Sequence, residues 1–430
     1  MKSRSKIAVI GAGASGMTAA ITAARNGAEV TLFEKNDRVG KKILATGNGK
    51  CNLANLEFST EKYYCDEKDK LSKLFRVFSV WDTISFFENM GLMIKSKNGY
   101  LYPYSEQASS VLDILRMELE RSGVKTITGV QIVDAACRGK ESGFELTDTE
   151  GRNYSFQKLI VACGSPASLK KGEGMTGYEI AKRFGHRIVP IVPGLVQLKS
   201  DERFMKALAG VRCQAEAALL IDGKSEAVEM GELQFTEYGV SGIPIFQFSR
   251  LAAYALREGK SVSVLINFFP DREEKEFLFM NKLRYETLKD KSLENYFTGT
   301  LNKKINMVML KQAGLKADAK VQDIGWEKIK ALTKQSRSFE IHISGTKQIE
   351  NAQICAGGID LKQVDIGLQS ELVKDLYFAG EILNVDGKCG GYNLQWAWTS
   401  GYIAGMNAAG YSTKKMAEKS VNSERIQKEM

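Results

Sequence analysis

The chain of 430 residues has no run of eighteen apolar residues, so no membrane-spanning helix is expected. Met1 to Lys6 lead straight into a strand-like run, without the apolar core and cleavage site of a signal peptide, and the expectation is a soluble cytoplasmic protein with no membrane partner. Cysteine is sparse and poorly placed for structural chemistry. Cys51, Cys65, Cys137, Cys163, Cys213, Cys355 and Cys389 are odd in number, scattered and never spaced as CxxC, which fits neither a disulfide scaffold nor a zinc site. With only His186 and His342, no metal centre is expected either. The net charge of +9 comes from 60 Lys and Arg interleaved with 51 Asp and Glu. That spread predicts modest attraction for anionic small molecules and no nucleic-acid partner.

What is present suits a globular enzyme acting on a small-molecule substrate: the length and 43% hydrophobic content allow a large core and two or three domains. The first informative segment is Lys6 to Lys35. Lys6-Ile-Ala-Val-Ile10 reads as a buried strand and feeds into Gly11-Ala-Gly-Ala-Ser-Gly16; Met17, Ala20, Ile21 and Ala24 then mark one face of a helix that Gly27 closes. A second strand, Glu29 to Phe33, ends at Glu34, followed by Lys35. In such a βαβ unit Gly11 permits a tight turn, Gly13 admits a pyrophosphate, and Gly16 lets helix and strand pack closely. The first helical residues, Ala14 and Ser15, would turn free N–H groups and the positive dipole end toward the phosphates. Glu34, eighteen residues past Gly16, is placed to accept hydrogen bonds from an adenosine ribose.

This leaves NAD and FAD open, and the next segment favours FAD. Arg38 to Asn52 (RVGKKILATGNGKCN) is a long, basic, glycine-rich loop that an NAD site does not need and that the longer FAD does. Lys41, Lys42, Asn48 and Asn52, with Gly47 allowing close backbone approach, are candidate donors to phosphate, ribityl or pyrimidine oxygens. At the far end, Asp375 to Ala379 reads as a strand running into Gly380-Glu381, then Asp386-Gly387, then Gly390-Gly391 and a helix from about Asn393. Glu381 or Asp386 could take ribityl hydroxyls. The Tyr392 and Asn393 amides, at the helix N-terminus beyond Gly391, could stabilise charge on a reduced flavin ring. Trp396 and Trp398 read as core residues.

The blocks KKILATGNGKCNLAN (residues 41–55), Leu159 to Gly164, Ile343 to Thr346 with Gly357-Gly358, and LYFAGEILNVDGKCGGYNLQWAWTSGYIAG (376–405) together resemble a bacterial flavoprotein family that includes aminoacetone oxidase-like proteins and a bile-acid Δ4,6-reductase. The resemblance spans nearly the whole chain. It implies an α/β architecture: a discontinuous Rossmann-like FAD-binding domain (1–190 and 356–412), an inserted antiparallel β-barrel-like substrate domain (191–270 and 338–355), a small helical subdomain (271–337) and a loose polar tail (413–430). Ile132, with Ala162 and Gly164 at the end of the Leu159 strand, completes the candidate cofactor contacts. Lys50 stands where the family commonly has Arg, and Gly367-Leu-Gln-Ser370 where it often has Thr-Met-Glu-Ser; neither change threatens FAD binding, and the second bears on the cleft.

The middle of the chain reads compatibly. Tyr178 to Gly185 forms a short helix, Pro190 to Gly194 crosses out of the first domain, and Ala215–Ile221, Glu232–Thr236 and Ser261–Phe268 are strand-like. The charged stretches after Asp271 are helical with solvated faces. Gly172 to Gly177 (GEGMTG) repeats the GxGxxG spacing, but no strand directly precedes it and none ending in an acid follows, so a loop beside the flavin is expected in place of a second nucleotide site. The reaction expected is hydride transfer through FAD, with NAD(P)H as a transient donor to an electron-poor C=C. An amine or alcohol oxidase using O₂ and a non-enzymatic flavin sensor or nucleic-acid-associated protein are the alternatives. Disulfide-reductase chemistry wants a CxxxxC pair where only Cys51 stands. Tyr100, Tyr102, Tyr104 and Tyr392 are proton-donor candidates by type alone.

Overall fold

The computed structural model describes residues 4–138 and 143–418; residues 419–430 of the expected tail lie outside them. The described residues fall into two compact units, one of residues up to Ile191 and from Ile354 onward, the other Val192–Gln353.

The first unit is built on a five-stranded sheet whose neighbours run Leu376–Phe378, Lys158–Val161, Lys6–Ile10 (β1), Glu29–Glu34 (β2), Lys125–Thr128. Every pairing is parallel. Such strands are covered on both faces, which is why β1 and Lys158–Val161 are near-continuous apolar runs with Ile7, Ala8, Val9, Leu159, Ile160 and Val161 fully buried. The helix Ala14–Arg25 (α1) connects β1 to β2. Because Lys158–Val161 lies on one side of β1 and β2 on the other, chain order reverses at β1, and the crevice beyond its carboxyl end is where α/β sheets bind ligands. A three-stranded antiparallel meander (Ile132–Cys137, Phe144–Asp148, Asn153–Phe156) returns the chain to the sheet. The tail is less loose at its start than composition suggests. Lys414–Glu418 is helical, with Ala417 within it and Thr413 just before it buried.

The second unit holds a seven-stranded antiparallel sheet in the order Phe339–His342, Val262–Asn267, Arg212–Ile221, Lys224–Thr236, Gly239–Gly242, Leu198–Lys199, Gly345–Thr346. Its two edge strands are consecutive in sequence. Ile343 N–H donates to the Val262 carbonyl (2.9 Å) on one side and Ser344 N–H to the Lys199 carbonyl (3.0 Å) on the other, so residues 339–346 serve both edges and close the sheet in barrel fashion. The purely antiparallel reading of this region misses one element, the helix Ile243–Arg257. Its signals are Pro244 in the first turn and buried Ile245, Phe248, Ala252 and Ala255 at helical spacing. The helices Glu274–Thr287, Lys303–Gln312 and Trp326–Gln335 share one apolar core with the sheet, in which Tyr296, Ile305, Met309 and Ile329 join Phe235, Phe248 and Ile266.

Candidate cofactor site

The three glycines after β1 are glycines for different reasons. A Cβ on Gly16 would stand 1.8 Å from the Gly11 carbonyl oxygen, and one on Gly11, already at φ +100°, would stand 2.6 Å from the Ala162 carbonyl oxygen. Packing within the protein therefore forces both. Gly13 has ordinary extended backbone and nothing within 4 Å of its Cβ position. Its bareness is unexplained by the protein and leaves open space at the N-terminus of α1, where no side chain caps the helix. Gly11 N–H closes the turn onto the Phe33 carbonyl (2.8 Å).

Glu34 ends β2 buried beside this turn. Its Oε2 accepts from the Ala12 N–H (2.8 Å) and its Oε1 from the Asn36 N–H (3.0 Å) and side-chain amide (2.5 Å), which fixes the carboxylate while leaving lone pairs for further donors. Lys35 pairs with Glu173 at 2.5 Å. That contact puts the GEGMTG loop, expected beside the flavin, next to the acid that closes β2. Packing explains two of its glycines, since a Cβ on Gly174 would meet Pro166 at 2.7 Å and one on Gly177 would meet Ile382 at 2.7 Å, while Gly172 sits at φ +85° with nothing within 4 Å.

The loop from residue 41 divides by exposure. Lys41, Gly47 and Asn48 face solvent, and Gly47 and Asn48 both adopt left-handed backbone (φ +55° and +54°). Lys42 reaches across the sequence to Glu381 (2.7 Å). Glu381 also accepts from the Ser165 hydroxyl (2.7 Å) and the Cys355 N–H (2.8 Å), so its carboxylate is a junction between three segments. Asn52 ties the loop to the far end of the chain: with its amide turned to satisfy its neighbours, it donates to the Leu101 and Ala54 carbonyls and accepts from the Gly391 N–H. Asn55 adds a bond to the Gly390 carbonyl (3.1 Å). The Gly391 backbone (φ +93°) presses so closely on Ala54 that a Cβ would stand 2.7 Å from its oxygen.

Asn393 does not point outward. Its side chain accepts from the Gly387 N–H and donates to the Gly387 carbonyl, both at 2.8 Å, and so clamps the turn at buried Asp386, leaving its own backbone amide at the helix N-terminus. The Tyr392 ring is buried, its hydroxyl donating to the Glu57 carbonyl (3.0 Å), and burial pushes that phenol up to about 12. This corrects its place among the proton donors: only its backbone is offered to a ligand. Trp396 and Trp398 are buried, their indole N–H groups donating to the Gly380 and Leu53 carbonyls. Gly380 (φ +83°) leaves no room for a side chain, since its Cβ would fall 2.3 Å from Ser15 Oγ.

The helix Tyr392–Ala408 packs on α1 through two glycines. A Cβ on Gly401 would stand 2.4 Å from the Ser15 carbonyl oxygen, and one on Gly405 2.5 Å from that of Ala19. Both numbers rise together, so the helices run parallel and their uncapped N-termini face the same way. With residue 401 level with residue 15, the N-terminus at Tyr392 stands eight residues beyond that at Ala14, about 12 Å at 1.5 Å per residue. Two positive dipole ends set in line at that offset suit an elongated ligand carrying negative charge at two places.

Ala162 and Gly164 flank the turn after Lys158–Val161; Gly164 (φ +70°) has nothing within 4 Å of its Cβ position, as at Gly13. The Ile132 side chain is buried in the core, so only its backbone can meet a ligand. Burial pushes the Cys51, Cys163 and Cys355 thiols up to about 12 and raises Cys389, which leaves them protonated and unactivated. Sequence reasoning missed Ser165, Ser400 and Asn55. Ser400 Oγ, for example, accepts from the Gly380 N–H (2.8 Å), and nothing local in the sequence marks such long-range partners. Among the described residues no group of three His, Cys, Asp or Glu could hold a metal ion, and no helix is long and apolar enough to cross a membrane.

Glycine turn, closing acid and paired helix N-termini define a Rossmann-type dinucleotide-binding protein. The pattern of the HI0933-like protein Rossmann domain matches residues 5–407, and the chain belongs to that family. It is 38% identical over 410 residues to the 3-dehydro-bile acid delta(4,6)-reductase of Clostridium scindens, covering 94% of this chain and 99% of that one. To the ribosomal RNA dihydrouridine synthase of Haemophilus influenzae it is 29% identical over 413 residues, covering 95% and 99%. Among solved structures, the 3-ketosteroid-delta4-(5alpha)-dehydrogenase of Rhodococcus jostii RHA1 matches 95% of this chain and 97% of its own at 13% identity, with a TM-score of 0.45.

Proposed function

We propose that this protein is an FAD-dependent reductase that passes hydride from NAD(P)H to an electron-poor C=C, conjugated to a carbonyl, in a small organic substrate of steroid-like type. The observation that carries the cofactor is the open space at Gly13 in line with the second helix N-terminus. The residues fit FAD. Gly13 and the amides of Ala14, Ser15 and Gly16 would hold the pyrophosphate and Glu34 the adenosine ribose; Gly164 gives room on the far side of the turn. The Tyr392 and Asn393 amides would face the negative end of the flavin pyrimidine ring, which favours its reduced form. Lys42 and Glu381, committed to each other, would shape the space between rather than bind by charge. Bound there, FAD supplies two-electron transfer; the chain supplies orientation and electrostatics.

The carbonyl-conjugated C=C is the chemistry common to the relatives, since a Δ4,6-reductase of a 3-oxo steroid and a dihydrouridine synthase both saturate such a bond. The higher identity to the bile-acid enzyme favours a small molecule. One observation favours uridine in RNA as a second reading: Lys303, Lys304, Lys311 and Lys316 line a groove of about 640 Å³ together with Met307 and Leu315. Anaerobic mixing with NADH and NADPH, then re-oxidation by steroid enones, by RNA or by O₂, decides. Bleaching by NAD(P)H followed by enone-driven recovery supports the proposal; recovery with RNA and formation of dihydrouridine supports the second reading. Bleaching by an amine or alcohol alone, with rapid recovery in O₂, makes the protein an oxidase and overturns both.

A further inference from the structure

Saturating a carbonyl-conjugated C=C needs a hydride at one carbon and a proton at its neighbour, and we infer that Tyr102 gives the proton, with Lys50 and Glu106 as positioning residues. The inference rests on the C=C-reductase reading. Tyr100 and Tyr102 project from one face of the strand Tyr100–Pro103, because Leu101 between them is buried in the core. The strand is held against the cofactor loop, since the Leu101 carbonyl accepts from the Leu53 N–H (2.8 Å) and from the Asn52 side chain. Tyr100 marks where that face points: its Cε1 is 3.0 Å from the Cβ position of Gly390, in the turn that opens the Tyr392–Ala408 helix. Tyr102, two residues further along, shares the strand face that Tyr100 turns toward that helix N-terminus.

Of the other phenols near this turn, Tyr100 is 37% exposed. Tyr63 and Tyr392 donate to the backbone carbonyls of Tyr392 and Glu57, and Tyr104 is 62% exposed with Lys95 over its ring. Tyr102 is half-buried, and its charged and titratable neighbours are Tyr100, Lys50, Cys389 and Glu106, to none of which it is hydrogen-bonded. Burial, reinforced by Tyr100, keeps the phenol protonated at neutral pH, while Lys50 acts in the opposite sense and stabilises the phenolate once the proton has left. Lys50 is fixed there by Glu106 (2.6 Å), which is itself held by Lys95 (2.7 Å). Glu106 sits at φ +54°, a conformation non-glycine residues seldom adopt.

In the step, FAD bound at this site would supply, once reduced, a hydride to the substrate's β carbon, and the π electrons would shift toward the carbonyl oxygen. The α carbon then takes the proton as the Tyr102 O–H bond breaks, and the phenolate regains a proton from water. Electrons enter from NAD(P)H. The test follows re-oxidation of the pre-reduced holoprotein by a steroid enone in H₂O and D₂O. Tyr102→Phe is expected to slow it by on the order of 10²-fold or more and to alter the solvent isotope effect, since solvent must then supply the proton, with flavin content, visible spectrum and reduction by NAD(P)H unchanged. Tyr104→Phe serves as the control and is expected to behave as the parent. A readout without turnover is the tyrosinate absorbance on raising pH: the component missing in Tyr102→Phe should move to higher pH in Lys50→Met. Enone re-oxidation in Tyr102→Phe at the parent rate, or a component indifferent to Lys50, overturns the assignment. A parent protein that no enone re-oxidises fails the functional reading itself.

Discussion

Gly401 lies so close to Ser15 that a Cβ built on it would stand 2.4 Å from the Ser15 carbonyl oxygen, and this contact sets the level of one helix N-terminus against the other. The obstructing atom is backbone and cannot swing away. Gly401→Val should therefore destabilise the protein by about 1–3 kcal/mol through overpacking. It should also lower the flavin retained per chain, because the two dipole ends are pushed out of line. Denaturant midpoints and flavin-to-protein ratios measured on the same preparations check both; unchanged flavin content in a destabilised variant would separate packing from binding.

Gly13 and Gly16 should part company when each is changed to alanine. At Gly13 the backbone is ordinary and the space is open, so the apoprotein should keep its stability while losing flavin affinity. At Gly16 the new methyl would fall 1.8 Å from the Gly11 carbonyl, so folding itself should suffer. Thermal unfolding of the two apoproteins and titration with FAD distinguish them. A Gly13→Ala protein with full FAD affinity would mean that the opening is not where the pyrophosphate lies.

Hydrogen bonds from Lys50 and then Lys95 hold the Glu106 carboxyl down to about 2. A carboxylate with a depressed native value favours the folded state fully above the ordinary value of about 4.5, and this contribution is lost as pH falls toward 2. The clamp on Lys50 is accordingly intact at pH 7 and at pH 5. Glu106→Gln should leave a smaller drop in unfolding midpoint between pH 5 and pH 3 than the parent shows, measured by urea unfolding at each pH.

Thiol reactivity should be uneven. Cys137 is exposed, whereas Cys51, Cys163 and Cys355 carry thiols pushed up to about 12 by burial. An aromatic disulfide reagent at pH 8 should titrate Cys137 fast and those three only after denaturation. Fast loss of Cys51 in the native protein would contradict its burial.

Much of the cofactor end was legible in the sequence because its signals are local. Strand, glycines, helix, strand and acid follow in order from Lys6 to Glu34, and the Gly380-Glu381 and Gly390-Gly391 turns mark the partner segment. What was not legible depends on contacts across hundreds of residues. Asn52 and Asn393 have the right chemistry for a ligand, yet their side chains are spent on Gly391 and Gly387, and Glu381 on Lys42, Ser165 and Cys355. Residue type could not rank the tyrosines either. Only the fold shows that the Tyr392 hydroxyl bonds to Glu57 while Tyr102 shares the strand face that Tyr100 turns to Gly390. The helix Ile243–Arg257 escaped because strand-like runs surround it, although its apolar spacing is helical.

The central claim is that a turn bare at Gly13 and a parallel helix opening at Tyr392 hold one FAD. Its most direct test is the visible spectrum of the purified protein together with the mass of the chromophore released on denaturation. The account predicts a yellow protein with flavin bands, close to one FAD per chain, and colour lost in Gly13→Trp or Glu34→Arg. A colourless protein that binds NAD at the Gly11–Gly16 turn, or a chromophore released as FMN with no adenosine for Glu34 to hold, would contradict it.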